Sequence, residues 1–329
     1  MKIVVAPDKF AGTLTAAEAA AAIAAGWAAE RPADELLLVP MADGGEGTVA
    51  VVHAALTAAQ LHHAEVEDAL GRPVEAAWLA LPDGRALVEA AQACGLSRLS
   101  PEELDPMRAT SFGVGQLLLA ADATGPTEIV VGLGGTATMD GGAGLVAALA
   151  GANLRAKVVA AADVTAPLLG PAGAVALYAR QKGASEAELP LLERRLEELA
   201  DRLAGRWQDL PGAGAAGGLG FGLAACCEAK VVPGAPLVGA LVGLPEALGG
   251  AGLVCTGEGA LDRQSGTGKV PAHVAELARA SGIPVFALAG RIEDGAGASY
   301  DRVAELGPQG LSRPTELLTA AAARLARSL

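Results

Sequence analysis

What most constrains how this chain can fold is a unit used twice near its N-terminus: a short apolar run, a glycine-containing acidic loop, and a helix signature. Ile3 to Ala6 is apolar and rich in β-branched residues, the pattern of a parallel strand buried on both faces. It ends in Pro7-Asp8-Lys9-Phe10-Ala11-Gly12-Thr13. Thr15-Ala16-Ala17-Glu18 then forms a capping box that opens an alanine-rich helix to about Glu30. Leu36 to Val39 repeats the strand, Met41-Ala42-Asp43-Gly44-Gly45-Glu46-Gly47-Thr48 repeats the loop, and a helix follows to about Leu56. Strand, loop and helix in this alternation predict a doubly wound parallel sheet, and so an α/β fold.

The pattern changes after residue 61. Turns at Leu70-Gly71-Arg72-Pro73 and Pro82-Asp83-Gly84-Arg85 separate short runs that read as antiparallel hairpins. Ser111 to Ala121 reads as a helix, Glu128 to Val131 and Lys157 to Asp163 as strands, and Pro190 to Trp207 as an amphipathic helix with a leucine stripe. The strand–loop–helix order resumes around Leu253, Pro284 to Leu288 and Val303. The expectation is one domain made of residues 1–61 and 246–329, with a second α/β domain of mixed sheet, 62–245, inserted into it.

Bulk properties exclude several classes. A chain of 329 residues suggests one large or two ordinary domains. It has no run of about 18 strongly apolar residues, so no membrane span is expected. Lys9 falls where a signal peptide would be apolar. A net charge of −13 without a basic tract argues against nucleic acid as partner. Four cysteines without CxxC spacing argue against zinc or a disulfide scaffold and fit a reducing cytoplasm. A homodimer is compatible with the sequence.

The chemistry is carried by loops. Asp8 to Thr13, Asp43 to Thr48 and Thr256 to Asp262 each follow a predicted parallel strand, and ligands of open α/β sheets bind beyond the strands' carboxyl ends. The third loop belongs to the stretch Val254 to Pro271, VCTGEGALDRQSGTGKVP, read as an apolar run ending at Cys255, a glycine-rich turn, and a helix from His273 to Ala280. It is not a Walker A loop, because Arg263 and Val270 stand where that motif needs Gly and Ser or Thr. A fourth loop, Gly132 to Gly142, follows a strand of the inserted domain and is expected to face the other three across a cleft. Phosphoryl transfer needs positioning and charge neutralisation above all. Gly134, Gly135, Thr136, Gly141 and Gly142 are suited to bring backbone N–H groups to phosphate oxygens. Asp140, Glu258 and Asp262 are suited to hold Mg²⁺, and a carboxylate to accept a hydroxyl proton. Lys9, Lys182 and Lys269 are suited to a substrate carboxylate or a moving phosphoryl group. Gly212 to Gly217 matches GxGxxG but follows a helix and lacks the downstream acid, so a dinucleotide site is rejected.

With these residues in view, the chain resembles the two-domain bacterial glycerate kinases of the first type. The matches are PDKFAGTL at 7–14, PMADGGEGT at 40–48, TSFGVGQL at 110–117 and GLGGTATMDGG at 132–142. They continue with APLLGP and QKGA across 166–184, PGAGAAGGLG at 211–220, and TGEGALD, Q and GKVP across 256–271. Ala11, Met139 and Ala166 depart from the family pattern, where lysine or asparagine is common. The resemblance implies a Rossmann- or flavodoxin-like parallel-sheet domain with a second α/β domain inserted. It implies ATP, Mg²⁺ and D-glycerate as ligands, with phosphoglycerate, 2-phosphoglycerate favoured, and ADP as products. Asp8, Lys9 and Asp262 are then the catalytic candidates, Glu258 and Asp262 serve metal and catalysis, and Asp43, Gly44, Gly45 and Glu46 with Lys182 and Lys269 contact substrate or phosphate. A kinase for a different small hydroxy acid, or a non-catalytic nucleotide- or metabolite-binding regulator, would use the same loops.

Overall fold

Alternation of side chains along the first strand, β1 (Lys2–Val5), sends Ile3 and Val5 to one face and Val4 to the other, and all three are fully buried. Such a strand must sit inside a sheet covered on both sides. In the computed structural model, which describes residues 1–203, 205–262 and 269–329, it is flanked by β2 (Glu35–Leu38) and β9 (Leu253–Leu261). β10 (Val285–Ile292) and β11 (Arg302–Glu305) complete a five-stranded sheet in the order β11-β10-β9-β1-β2, every pair parallel. This is the doubly wound arrangement expected. The strand order reverses beside β1, so the β1/β9 boundary is its topological switch point.

One face of this sheet carries the helices Ala16–Glu30 and Pro314–Arg327, which bury Ile23, Trp27, Leu318 and Leu325 against Ile3, Val5, Leu253 and Phe286. The first helix starts where the capping box placed it: the Glu18 N–H donates to Thr15 Oγ1, and the Glu18 carboxylate accepts from the Thr15 N–H at 2.8 Å. The other face carries the helix Val270–Ala280, with Val270 and Val274 packed against Val4 and Val254.

The second sheet has six strands, β3 (Gln60–Glu67), β4 (Pro73–Ala80), β5 (Ala86–Glu89), β6 (Glu128–Gly132), β7 (Lys157–Ala161) and β8 (Lys230–Val232), adjacent in that order. β3 to β5 pair antiparallel and β5 to β8 parallel, a mixed sheet in a second α/β unit. The two compact units comprise residues 1–43, 50–56 and 234–329, and residues 44–49 and 57–233. Three segments, 44–49, 57–61 and 234–245, fall on the other side of the boundaries read from sequence. Residues 44–49 join the second unit because Glu89 accepts from Gly47 N and Val49 N, each at 3.1 Å. The helix Gly234–Leu241 joins the first because Ala235 is buried with Val4 and Val254.

β9 corrects a local reading. Thr256 to Leu261, taken as a glycine-rich turn, is strand, paired with β10 from Val254↔Val285 to Leu261↔Ile292. Its glycines serve close strand approach: a β-carbon on Gly257 would stand 2.2 Å from the Leu288 carbonyl oxygen. The following helix begins at Val270, with Pro271 in its first turn, rather than at His273. Residues 263–268, which include Arg263 and the motif residues Gln264 and Gly268, lie outside the described residues, as does Ala204 in the stretch read as helix, whose helix is Leu189–Arg202.

Gly26 tests the packing of the two long helices. A β-carbon there would stand 2.0 Å from the Thr319 carbonyl oxygen. Gly26→Ala is expected to destabilise this unit by about 1–3 kcal/mol through overpacking, read as a lower denaturation midpoint; an unchanged midpoint would mean the helices are not in this contact.

Candidate active site

The carboxyl ends of β1, β9, β10 and β11 open on a cavity of about 730 Å³. Each sequence candidate there is positioned by a specific backbone contact. Ala6 N donates to the Cys255 carbonyl at 2.7 Å and Asp8 N to the Gly257 carbonyl at 2.8 Å, so the segment after β1 continues along β9 past the last ladder pair. Thr256 Oγ1 donates back to the Ala6 carbonyl at 2.8 Å. These bonds set Asp8 beside Glu258. Met41 N donates to the Pro7 carbonyl at 2.9 Å and holds the segment that ends in Asp43. Asp262 follows β9 directly, and Lys269 occupies the N-cap position of the helix Val270–Ala280; their side chains pair at 3.3 Å.

Asp8, Lys9, Asp43, Glu258, Asp262 and Lys269 thus line one cavity, together with Arg291, Glu305 and the apolar Phe10, Pro308 and Leu311. Asp8 and Glu258 are almost fully buried. Burial, with the charges of Asp43 and Glu258 outweighing the help of Lys9 and its backbone N–H, holds the Asp8 carboxyl well above the usual carboxylate range. The sequence reading missed Arg291, Glu305, Pro308 and Leu311. A Gly-Arg pair just beyond a predicted strand, Gly290-Arg291, was the available signal for the first; Glu305 ends β11, Pro308 and Leu311 follow it, and none of the three carries a motif.

The remaining candidates belong to the second unit. Asp140 is enclosed by donors: Ser111 N and Oγ at 2.8 Å each, and Gly144 N at 3.0 Å, reach Oδ2, and Gly142 N reaches Oδ1 at 3.0 Å. Its carboxylate ties the glycine loop to the start of the helix Phe112–Asp122. Gly141 and Gly142 are buried; a β-carbon on Gly142 would stand 2.8 Å from Gly222 Cα, so the residue permits close packing against the helix Ala215–Cys227. The GxGxxG stretch serves the same end, since a β-carbon on Gly217 would stand 1.9 Å from the Thr138 carbonyl oxygen. Lys182 is buried and donates to the Thr138 carbonyl at 2.8 Å and to Thr136 Oγ1 at 3.3 Å. Burial pushes its ammonium down to about 8. Gly134 and Gly135 are less enclosed; Gly135 has φ +79° and lies against Glu46, a β-carbon there falling 3.1 Å from Glu46 Cβ. Gly44 packs on the end of β7, where a β-carbon would stand 3.2 Å from Ala161, and Gly45 accepts at its carbonyl from Thr48 Oγ1 at 2.6 Å.

Known proteins carry the same organisation. The model of the glycerate kinase family matches residues 3–157 and 151–328. A glycerate 2-kinase of Escherichia coli is 40% identical over 332 residues, covering 90% of this chain and 87% of its own length. A glycerate kinase of Halalkalibacterium halodurans is 38% identical over 340 residues, covering 93% and 88%. A crystal structure of a Salmonella typhimurium protein assigned as glycerate kinase 2 superposes with a TM-score of 0.81 at 34% identity, over 100% of this chain and 98% of that one.

The crowding at Asp8 has a thermodynamic signature. With its proton affinity raised on folding, the folded protein binds more protons than the unfolded one above the ordinary value of 3.8, and stability declines as pH rises through that window. In the presence of a chelator, Asp8→Asn is expected to raise Tm at pH 7 and to lose that gain as pH falls toward about 4. An equal effect at both pH values would show that Asp8 is not held in a crowded, desolvated place.

Proposed function

The chain belongs to the glycerate kinase family, and from that premise we propose that it transfers the γ-phosphoryl group of ATP to a hydroxyl of D-glycerate, with 2-phosphoglycerate as the favoured product. The observation that carries this reading is the convergence of three acidic segments, distant in sequence, on one cavity at the switch point of a parallel sheet. A surface that only bound an anion would not gather carboxylates; a phosphoryl-transfer site needs them for a cation and for a proton.

Within this reading, Asp8 accepts the proton of the attacking hydroxyl. Its raised proton affinity brings it closer to the working pH than an ordinary carboxylate, which is the property of an effective general base. Lys9 and Lys269 neutralise charge on the moving phosphoryl group, and Asp262 keeps the Lys269 ammonium in place. Glu258 and Asp262 are the residues assigned to Mg²⁺. Their chemistry fits a hard cation, and a divalent charge would relieve the repulsion around Asp8. Among the described residues no three His, Cys, Asp or Glu side chains form a metal cage. Mg²⁺ is commonly held by one or two carboxylates and by substrate phosphates, whose developing charge it would neutralise here. Asp140, whose oxygens are already engaged by backbone N–H groups and Ser111, is assigned to bracing the glycine loop. Lys182 supports the same loop from beneath, and the backbone around Gly134, Gly135 and Thr136 remains the candidate for anion contact in the second unit.

The ³¹P spectrum of the product from ATP, Mg²⁺ and D-glycerate tests activity and regiochemistry together; a 3-phosphoglycerate signal would overturn the product assignment, and absence of transfer the reaction itself. Asp262→Asn is expected to cut kcat about 10²-fold or more while leaving the thermal unfolding profile intact. Near-normal turnover would remove Asp262 from the chemistry.

A further inference from the structure

The cavity of the first unit lies at the carboxyl edge of the sheet. Its lining comes from the segments that follow β1 and β2, from β9 and the segment after it, from β10, and from β11 and the segment after it. From β1 to β11 are three inter-strand steps, roughly 14 Å at the usual spacing. A three-carbon acid, with bonds of about 1.5 Å, spans less than about half of that. The cavity's volume, about 730 Å³, lies in the range of pockets that enclose molecules far larger than glycerate. A nucleoside triphosphate matches both dimensions.

The two ends differ in chemistry. The β1/β9 end holds Asp8, Asp43 and Glu258, with Lys9 beside them. The far end, at and after β11, is formed by Glu305, Gly307, Pro308, Gly310 and Leu311; Glu305 is exposed to solvent, and Leu311 is 79% exposed, the most exposed large apolar side chain described. Between them, Gly259 and Gly290 put no side chain on the wall, and Arg291 supplies a cation. A flat, partly apolar group can lie over glycines and against proline and leucine; it has no reason to enter a cluster of buried carboxylates, which would lose their solvation to it. Phosphates, conversely, need the lysines and a cation that carboxylates can hold.

We propose that ATP lies along this edge with its base on the Pro308–Leu311 loop and its phosphates directed past Arg291 toward the β1/β9 switch point. The proposal rests on the reading of the chain as an ATP-dependent kinase, and adds which substrate this cavity takes and in which direction. Leu311 is then a base-contacting residue that sets nucleotide affinity.

The test uses the intact protein, ADP as the calorimetric probe and 8-azido-ATP as the photolabel. Leu311 is exposed, so Leu311→Asp leaves the core untouched. It is expected to weaken ADP binding about tenfold and to raise the KM for ATP in parallel, with the KM for glycerate moving less than about twofold; Leu311→Phe, which keeps an apolar surface, retains ADP binding. Photolabelling is expected in the peptide that contains Pro308 to Leu311. Wild-type ADP affinity in Leu311→Asp, a rise confined to the KM for glycerate, or labelling confined to other peptides would overturn the proposal. Labelling at Pro308 to Leu311 with no phosphate transfer to glycerate would sustain the nucleotide site and overturn the glycerate reading; no ADP binding to the wild type would overturn the site.

Discussion

The first unit depends on the pairing of the chain's first strand with one that arrives some 250 residues later. β1 and β9 align at Ile3↔Leu253, and the Asp8 N–H continues the ladder onto the Gly257 carbonyl. That bond is ordinary in strength, about 0.5–1.5 kcal/mol net, yet the meeting of the acidic groups at the switch point follows from it. It sets Asp8 beside Glu258 at the switch point, and the short link from Pro7 to Met41 then brings Asp43 to the same place. Parallel pairing is what allows this, since it aligns the carboxyl ends of all five strands on one edge.

The same crowding costs stability. Asp8 is buried beside the charges of Asp43 and Glu258, and burial first and those charges second make it hold its proton more tightly. Nothing in the packing of the sheet requires them there; apolar or amide side chains of similar size would fold at least as well. Natural sites keep such unfavourable groups when a ligand's charge relieves them, the usual trade between stability and function. The second unit shows the opposite case. Asp140 and Lys182 are also enclosed, but Asp140 meets four donors and Lys182 two acceptors. Their polar needs are met within the loop, so they stabilise its shape.

Glycine accounts for most of the difference between reading the motifs and locating them. In Gly257 and Gly259 the sequence suggests a turn, yet both lie inside β9, where neighbouring backbone leaves no room for a β-carbon on Gly257. Gly141 and Gly142 read as phosphate-facing glycines, yet a β-carbon on Gly141 would meet the Leu196 and Leu199 side chains and one on Gly142 the Gly222 backbone, all within their own unit. A missing side chain admits a close neighbour of any kind, whether phosphate, strand or helix, and the sequence alone does not say which. Pro308 and Leu311 escaped for a different reason: an exposed leucine after a short strand has no pattern to distinguish it from ordinary surface.

Local chemistry determined a good deal of this protein from sequence alone. The β-branched run at Ile3 to Val5, the capping box at Thr15 and Glu18 and the leucine stripe on either side of Leu196 each specify their own element, because propensity, capping and periodicity act over a few residues. The ordered motifs likewise sufficed to identify the family. Which acidic residues share a cavity, that β9 runs on through its glycines, and that Asp140 and Lys182 serve a loop were decided by tertiary structure. Those outcomes depend on strand order and on contacts between residues far apart in sequence, and such contacts leave no periodic trace along the chain.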